Sequence, residues 1–323
     1  MTNPERDPAL LTCETHVTPV VEIMTPRDVP LGGPRAMGVR RTLPQRGRSL
    51  IGAWCFLDHY GPDDVAQTGG MKVAPHPHTG LQTVSWLFTG EIEHRDSAGH
   101  HAMVRPGEVN LMTAGHGISH SEVSTATTTT LHGAQLWVAL PDDARDTAPT
   151  FAHHEPTPVR GDGFEARVFL GSLLGETSPV ATFTPLLGAE LLLDPGASIT
   201  LDVDASYEHG VLVDTGALVV AGVDVAKDEL AYVPPGSDRL ELRAGADAVR
   251  LLLLGGPPFG EAIVMWWNFV GRSHDEIVAF REQWQGQVTP DGLVDGRFGI
   301  PVDDPLPPIP APELPNARLR ERR

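Results

Sequence analysis

Two short pairs, His76-Pro77-His78 and His120-Ser121-Glu122, are where this chain could do chemistry. In an extended strand residues two apart face the same way, so each pair can present two donor groups to one point. Three imidazole nitrogens and one carboxylate oxygen suit a single divalent first-row transition metal, and the donor types do not choose among Fe(II), Ni, Co, Mn, Cu and Zn. Nine of the 14 histidines fall between His59 and His132, so the demand for imidazole is local. Of these, His94, His100, His101 and His116 read as exposed loop residues, with support of the ligands from behind as the competing role.

The elements that must hold these pairs are strands. Gly and Pro cut the chain into short apolar runs, which makes the expected fold class all-β, with two tandem β-barrels. The runs Gln82–Phe88, Val109–Met112, Leu131–Leu140, Glu165–Phe169, Glu190–Leu193, Gly210–Val213, Leu218–Val220 and Val249–Leu254 are the strand candidates. Turn sequences such as Thr89-Gly90 and Asp194-Pro195-Gly196 separate them. One short helix is expected after Ser273, an N-cap followed by Asp275 and Glu276, with Ile277, Phe280 and Trp284 at helical spacing.

An internal repeat supports two barrels. Thr83–His94 overlays His209–Val220, each a strand, a Thr-Gly turn and a second strand, and Glu108–Glu122 overlays Glu229–Glu241. The expected division is two related barrels, over 15–145 with the His pairs and over 160–290, and a Pro-rich extended tail over 291–323. In the second copy Asp202 and Asp204 stand opposite the strand histidines and Arg239 opposite His120, and a guanidinium opposes a cation. Asp202, Asp204 and Glu208 therefore read as a charged rim.

If the strand beginning at His76 runs unbroken, His76, His78, Gln82, Val84, Trp86 and Phe88 share one face, with two ligands at the head of an apolar lining. Gly80 is the residue that could kink it and upset this parity. Trp86 and Phe88 then have two competing roles, plain core or a stacking platform for a flat substrate.

The net charge of -18 repels phosphate backbones, so no direct nucleic-acid partner is expected. No run is long and apolar enough for a membrane span, and the first thirty residues lack a signal-like apolar core, so a cytoplasmic protein is expected. With only Cys13 and Cys55, the latter within an apolar run, no disulfide is required.

The segment Gly70–Gly90 around His76-Pro77-His78-Thr79-Gly80, followed by Glu93-His94-Arg95-Asp96-Ser97, Arg105-Pro106-Gly107 and Met112–Glu122, resembles the pirin family. Phe56-Leu57-Asp58, Gln135-Leu136-Trp137-Val138 and Pro257–Val270 extend the likeness over most of the chain. The resemblance implies a bicupin, a metal, usually iron, on His76, His78, His120 and Glu122 of the first barrel, and a second barrel without metal. It also implies quercetin 2,3-dioxygenase-like activity, opening a flavonol ring with O2 and releasing CO. In that reading Glu122 handles the phenolic proton and Gln82, Val84, Trp86 and Phe88 line the substrate pocket. Four ligands leave coordination positions open, and their formal charge with a divalent ion, near +1, favours an anionic ligand. The competing function, also drawn from the family, is a redox-responsive regulator acting through a protein partner. One departure is Gln82, where the family commonly has Glu.

Overall fold

The computed structural model describes residues 21–30 and 37–322, so Cys13 lies outside the described residues. Two sandwiches of antiparallel strands follow one another, each a seven-stranded sheet facing a four-stranded one. In the first, the large sheet runs Thr150–His154, Val109–Thr113, Leu81–Thr89, Thr130–Ala139, Trp54–Asp64, Gly38–Leu43 and Arg27–Pro30. Its small sheet runs Lys72–His78, Ile118–Ser124, Ile92–Asp96 and His101–Val104. The second barrel repeats the plan with Leu230–Val233, Glu208–Thr215, Val249–Gly256 and Leu187–Leu193 in the large sheet. Its small sheet holds Ser198–Asp202, Arg239–Ala244, Leu218–Val220 and Val223–Val225.

The repeat legible in the sequence is therefore a repeat of topology. Its register also matches: His120 pairs with His76 in the first small sheet, and Arg239 pairs with Asp202 in the second. Asp202, Asp204 and Arg239 are exposed, while Ile199, Leu201, Leu240 and Leu242 fill the second barrel. Hydrocarbon dominates the interior there, with His209 buried beside it, whereas the first barrel buries a cluster of imidazoles.

Both large sheets turn their outer faces to each other. One apolar core joins Leu57, Val84, Trp86, Phe88 and Leu136 of the first barrel to Phe169, Leu212, Leu252 and Leu254 of the second. Polar contacts cross the same seam. Trp86 Nε1 donates to Glu190 at 3.1 Å, and Asp214 of the second barrel accepts from His59 and His132 of the first at 2.8 and 2.6 Å.

Two segments depart from the expected domain limits. The strand Glu22–Met24, expected within the first barrel, adds to the edge of the second barrel's large sheet, with Glu22 opposite Tyr232. The Pro-rich tail is irregular, as its composition requires, yet it is docked on the first barrel: Ile309 N–H donates to Pro75 at 2.8 Å, Ser121 bonds Asp304, and Ser97 donates to the Phe298 carbonyl at 2.6 Å. The helix His274–Gln287 forms where expected, with Ser273 capping the Glu276 N–H and Ile277, Phe280 and Trp284 buried. Its Trp284 indole holds the Ile309 carbonyl at 2.8 Å, so the helix is the tail's anchor.

Candidate metal centre

His76 and His78 end the strand Lys72–His78, and His120 stands directly across from His76 on Ile118–Ser124. The register slips between His120 and Glu122, a bulge that re-aims the carboxylate. Ligand atoms of His76, His78 and His120 lie within 4.8 Å of one another, and all three residues are buried. Glu122 belongs to a second, overlapping group with His120 and His94. The four side chains expected to act together thus meet as three convergent imidazoles with the carboxylate beside them, its Oε1 accepting from Ser85 Oγ at 3.2 Å.

The donor chemistry fits a divalent cation. His76 Nδ1 is 2.9 Å from the Ala74 carbonyl and His78 Nδ1 is 3.1 Å from that of Asn268, so each ring carries its proton on Nδ1 and keeps its Nε2 lone pair free. His78 Nε2 and His120 Nε2 face each other at 3.0 Å. Burial lowers His76 to about 4 and holds His78 and His120 well below the ordinary imidazole range, so the rings are neutral at pH 7. Burial pushes the Glu122 carboxyl up, against the lowering influence of His94 and the Ser85 hydrogen bond.

The pocket proposed from strand parity is overturned. The strand stops at His78, and Gly80, at φ 65°, turns the chain out of the small sheet and into the large one. A Cβ at Gly80 would lie 2.4 Å from the Val270 carbonyl oxygen, so only glycine fits. The turn inverts the alternation. Leu81, Ser85 and Leu87 point into the first barrel, while Val84, Trp86 and Phe88 point out into the inter-barrel core. Gln82 shares the outward parity, and its amide donates to Thr113 at 2.9 Å. Gln82 is accordingly not among the residues that line the cavity at the imidazoles.

The cavity that does open onto the imidazoles measures about 400 Å3. Its walls are Phe56, Trp137, Trp267, Val39, Met71, Val73 and Ile309, with Tyr60, Asp58, Arg41, Gln135, Asn268 and Glu122 as polar lining. Phe56 and Trp137 stack at 3.9 Å, and Arg41 lies over Phe56 at 4.5 Å while holding Asp58 through two 2.7 Å bonds. Phe56, Asp58, Tyr60, Gln135 and Trp137 come from Trp54–Asp64 and Thr130–Ala139, strands whose apolar runs concealed which face was inward.

Behind His120 stands a residue assigned from sequence to a loop. His94 is buried on Ile92–Asp96, with Nδ1 3.4 Å from His120 Nδ1 and Nε2 3.2 Å from Asp96. Asp96 is fully buried and also accepts from the Ala98 and His100 backbone amides. Its same-face spacing, His94-Arg95-Asp96, is the signal that could have found it. His101 and His116 are exposed as expected.

Tandem barrels with a histidine cluster inside the first define a bicupin. The chain matches the family model described as Pirin over residues 36–138 and that described as Pirin C-terminal cupin domain over residues 188–289. It belongs to the pirin family. A Pseudomonas aeruginosa protein named "Putative quercetin 2,3-dioxygenase PA1205" is 44% identical over 92% of this chain and 93% of its own length. A pirin-like protein of Caulobacter vibrioides is 36% identical, covering 85% of this chain and 94% of that one. Among solved structures, quercetin 2,3-dioxygenase from Acinetobacter baumannii superposes with a TM-score of 0.86 at 39% identity, covering 93% of this chain and 97% of that one.

Proposed function

We propose that the protein is a metal-dependent dioxygenase of the quercetin 2,3-dioxygenase type, with His76, His78, His120 and Glu122 holding one divalent ion, Fe(II) as the first choice. The observation that carries this is the pair of free Nε2 lone pairs on His76 and His78, set beside His120 at the base of an aromatic-walled cavity. The names of the Pseudomonas and Acinetobacter relatives support the substrate class.

In this reading a flavonol enters with its hydroxy-ketone edge toward the imidazoles. When bound, the metal supplies Lewis-acid pull on the enolic oxygen. Phe56 and Trp137 give a stacked edge against which a flat ring system packs, and the apolar wall from Val39 to Ile309 keeps water from the reacting carbons. Glu122 takes the hydroxyl proton: a carboxylate raised by burial is a stronger base than one in water, and the Ser85 hydroxyl steadies its Oε1. The carbonyls of Ala74 and Asn268 lock two rings in the tautomer that keeps Nε2 available.

The test is an aerobic assay of protein loaded separately with iron, nickel, cobalt, manganese or copper. Flavonol bleaching with stoichiometric CO is the expected result, and Glu122→Gln should lower kcat by about 100-fold or more, the usual worth of a positioned base. Absence of turnover with every metal would refute the activity.

A further inference from the structure

Tyr60 is fully buried on Trp54–Asp64, lines the cavity, and its hydroxyl has no hydrogen-bond partner. Among the described residues that line the cavity, it is the one with a buried side-chain polar atom left unpaired. Leaving a buried hydroxyl unpaired is unfavourable, and such groups are rare in folded proteins unless a ligand or water meets them. The neighbouring polar groups are already committed. Asp58 is clasped by Arg41 through two bonds, and Glu122 and Gln135 share the Ser85 hydroxyl. Burial pushes the Tyr60 phenol well above its ordinary value, with Glu122 and Asp58 adding to the effect, so it stays protonated and has a hydrogen to donate.

We infer that Tyr60 is a ligand-anchoring residue: its hydroxyl donates to an oxygen of the bound aromatic hydroxy-ketone, so that the cavity grips its ligand at the imidazoles and at a second point on the opposite barrel sheet. The inference rests on the function proposed above for the substrate class, while the geometry behind it is independent of turnover. Trp54–Asp64 belongs to the large sheet and the imidazoles to the small one. A ligand held from both sheets is fixed in rotation as well as in depth, which a single attachment cannot achieve. The preferred ligand is therefore a polyphenol with an oxygen acceptor available to Tyr60. An aromatic chelator with no oxygen beyond those directed at the imidazoles would leave the phenol unpaired.

Tyr60→Phe removes the hydroxyl and keeps the ring. Equilibrium binding of quercetin to metal-loaded protein under anaerobic conditions, followed by the ligand's absorption shift, should weaken about 3- to 10-fold, the worth of one neutral hydrogen bond. The ligand-free variant should melt at the same temperature as the wild type or higher, because an unpaired buried hydroxyl has been removed. Quercetin binding unchanged in Tyr60→Phe overturns the inference. So does a lower melting temperature of the ligand-free variant, which would show that the hydroxyl is already satisfied inside the protein. Wild-type protein that binds quercetin but never turns it over defeats the dioxygenase reading alone, and wild-type protein that binds none defeats both.

Discussion

His120 differs from the other two imidazoles in what supports it. His76 and His78 lean on backbone carbonyls, whereas His120 leans on His94, which leans on Asp96. With Nε2 turned to the cluster, His120 carries its proton on Nδ1, directed at His94, and His94 in turn carries one on Nε2, directed at Asp96. The chain of bonds fixes the tautomer and orientation of His120. Burial would raise the Asp96 carboxyl, yet the hydrogen bonds from His94 and the His100 amide hold it below its ordinary value, so it stays anionic at pH 7. His94→Ala is expected to cost about 10- to 100-fold in metal affinity; competition with a chromophoric chelator checks it. At this scale the H-x-H and H-x-E pairs were legible in the sequence, and the structure brings His76, His78 and His120 together with Glu122 grouped beside His120 and His94. The sequence was silent about Tyr60, because an isolated polar residue in a strand has the same local signature whether it faces a barrel interior or water, and His94 was missed because its same-face spacing with Asp96 lies in a segment that reads as a loop.

At the scale of elements, one residue decides which face of Leu81–Thr89 sees the cavity. The strands on either side of Gly80 were legible, and period-two alternation was sound within each. It failed across the glycine, where the chain passes from one sheet to the other. Trp86 and Phe88 accordingly serve as core, the bland reading of aromatics in a strand, and Trp86 stacks on Phe169 of the other barrel at 4.6 Å. Gly80→Ala places a methyl against the Val270 carbonyl in a left-handed backbone conformation. It should destabilise the fold by about 1–3 kcal/mol and lower metal affinity, since His78 lies two residues away. Urea unfolding of metal-free protein separates the first effect from the second.

Across the whole molecule the two barrels are tied by a buried polar clasp within an apolar seam. Burial alone would raise the Asp214 carboxyl, but hydrogen bonds from His132 and His59 outweigh it and hold the group well below the carboxylate range. A carboxyl lowered on folding stabilises the folded state at pH values above its unfolded value of about 3.9, and that contribution disappears as pH falls through the lowered folded value. Thermal unfolding from pH 7 down to pH 2 should therefore show a steep acid loss that Asp214→Asn flattens, with the variant less stable at pH 7 by about 3–5 kcal/mol because a buried charge network has been broken. Two barrels were foreseeable from the repeat, but their mutual packing was not. Outward-facing Val84, Leu136, Leu212 and Leu252 look like any strand core until a second sheet is seen to cover them.

The docking of Ile309 against Pro75, one residue before His76, joins the chain's late segment to its early ligand cluster. On the ribosome the imidazoles and their opposing strands emerge long before residue 309 does. Until it does, the first barrel lacks Ile309, one of the apolar residues that wall its cavity. The wall of the first barrel's cavity is thus completed by residues made late in the chain, Trp267, Asn268 and Ile309.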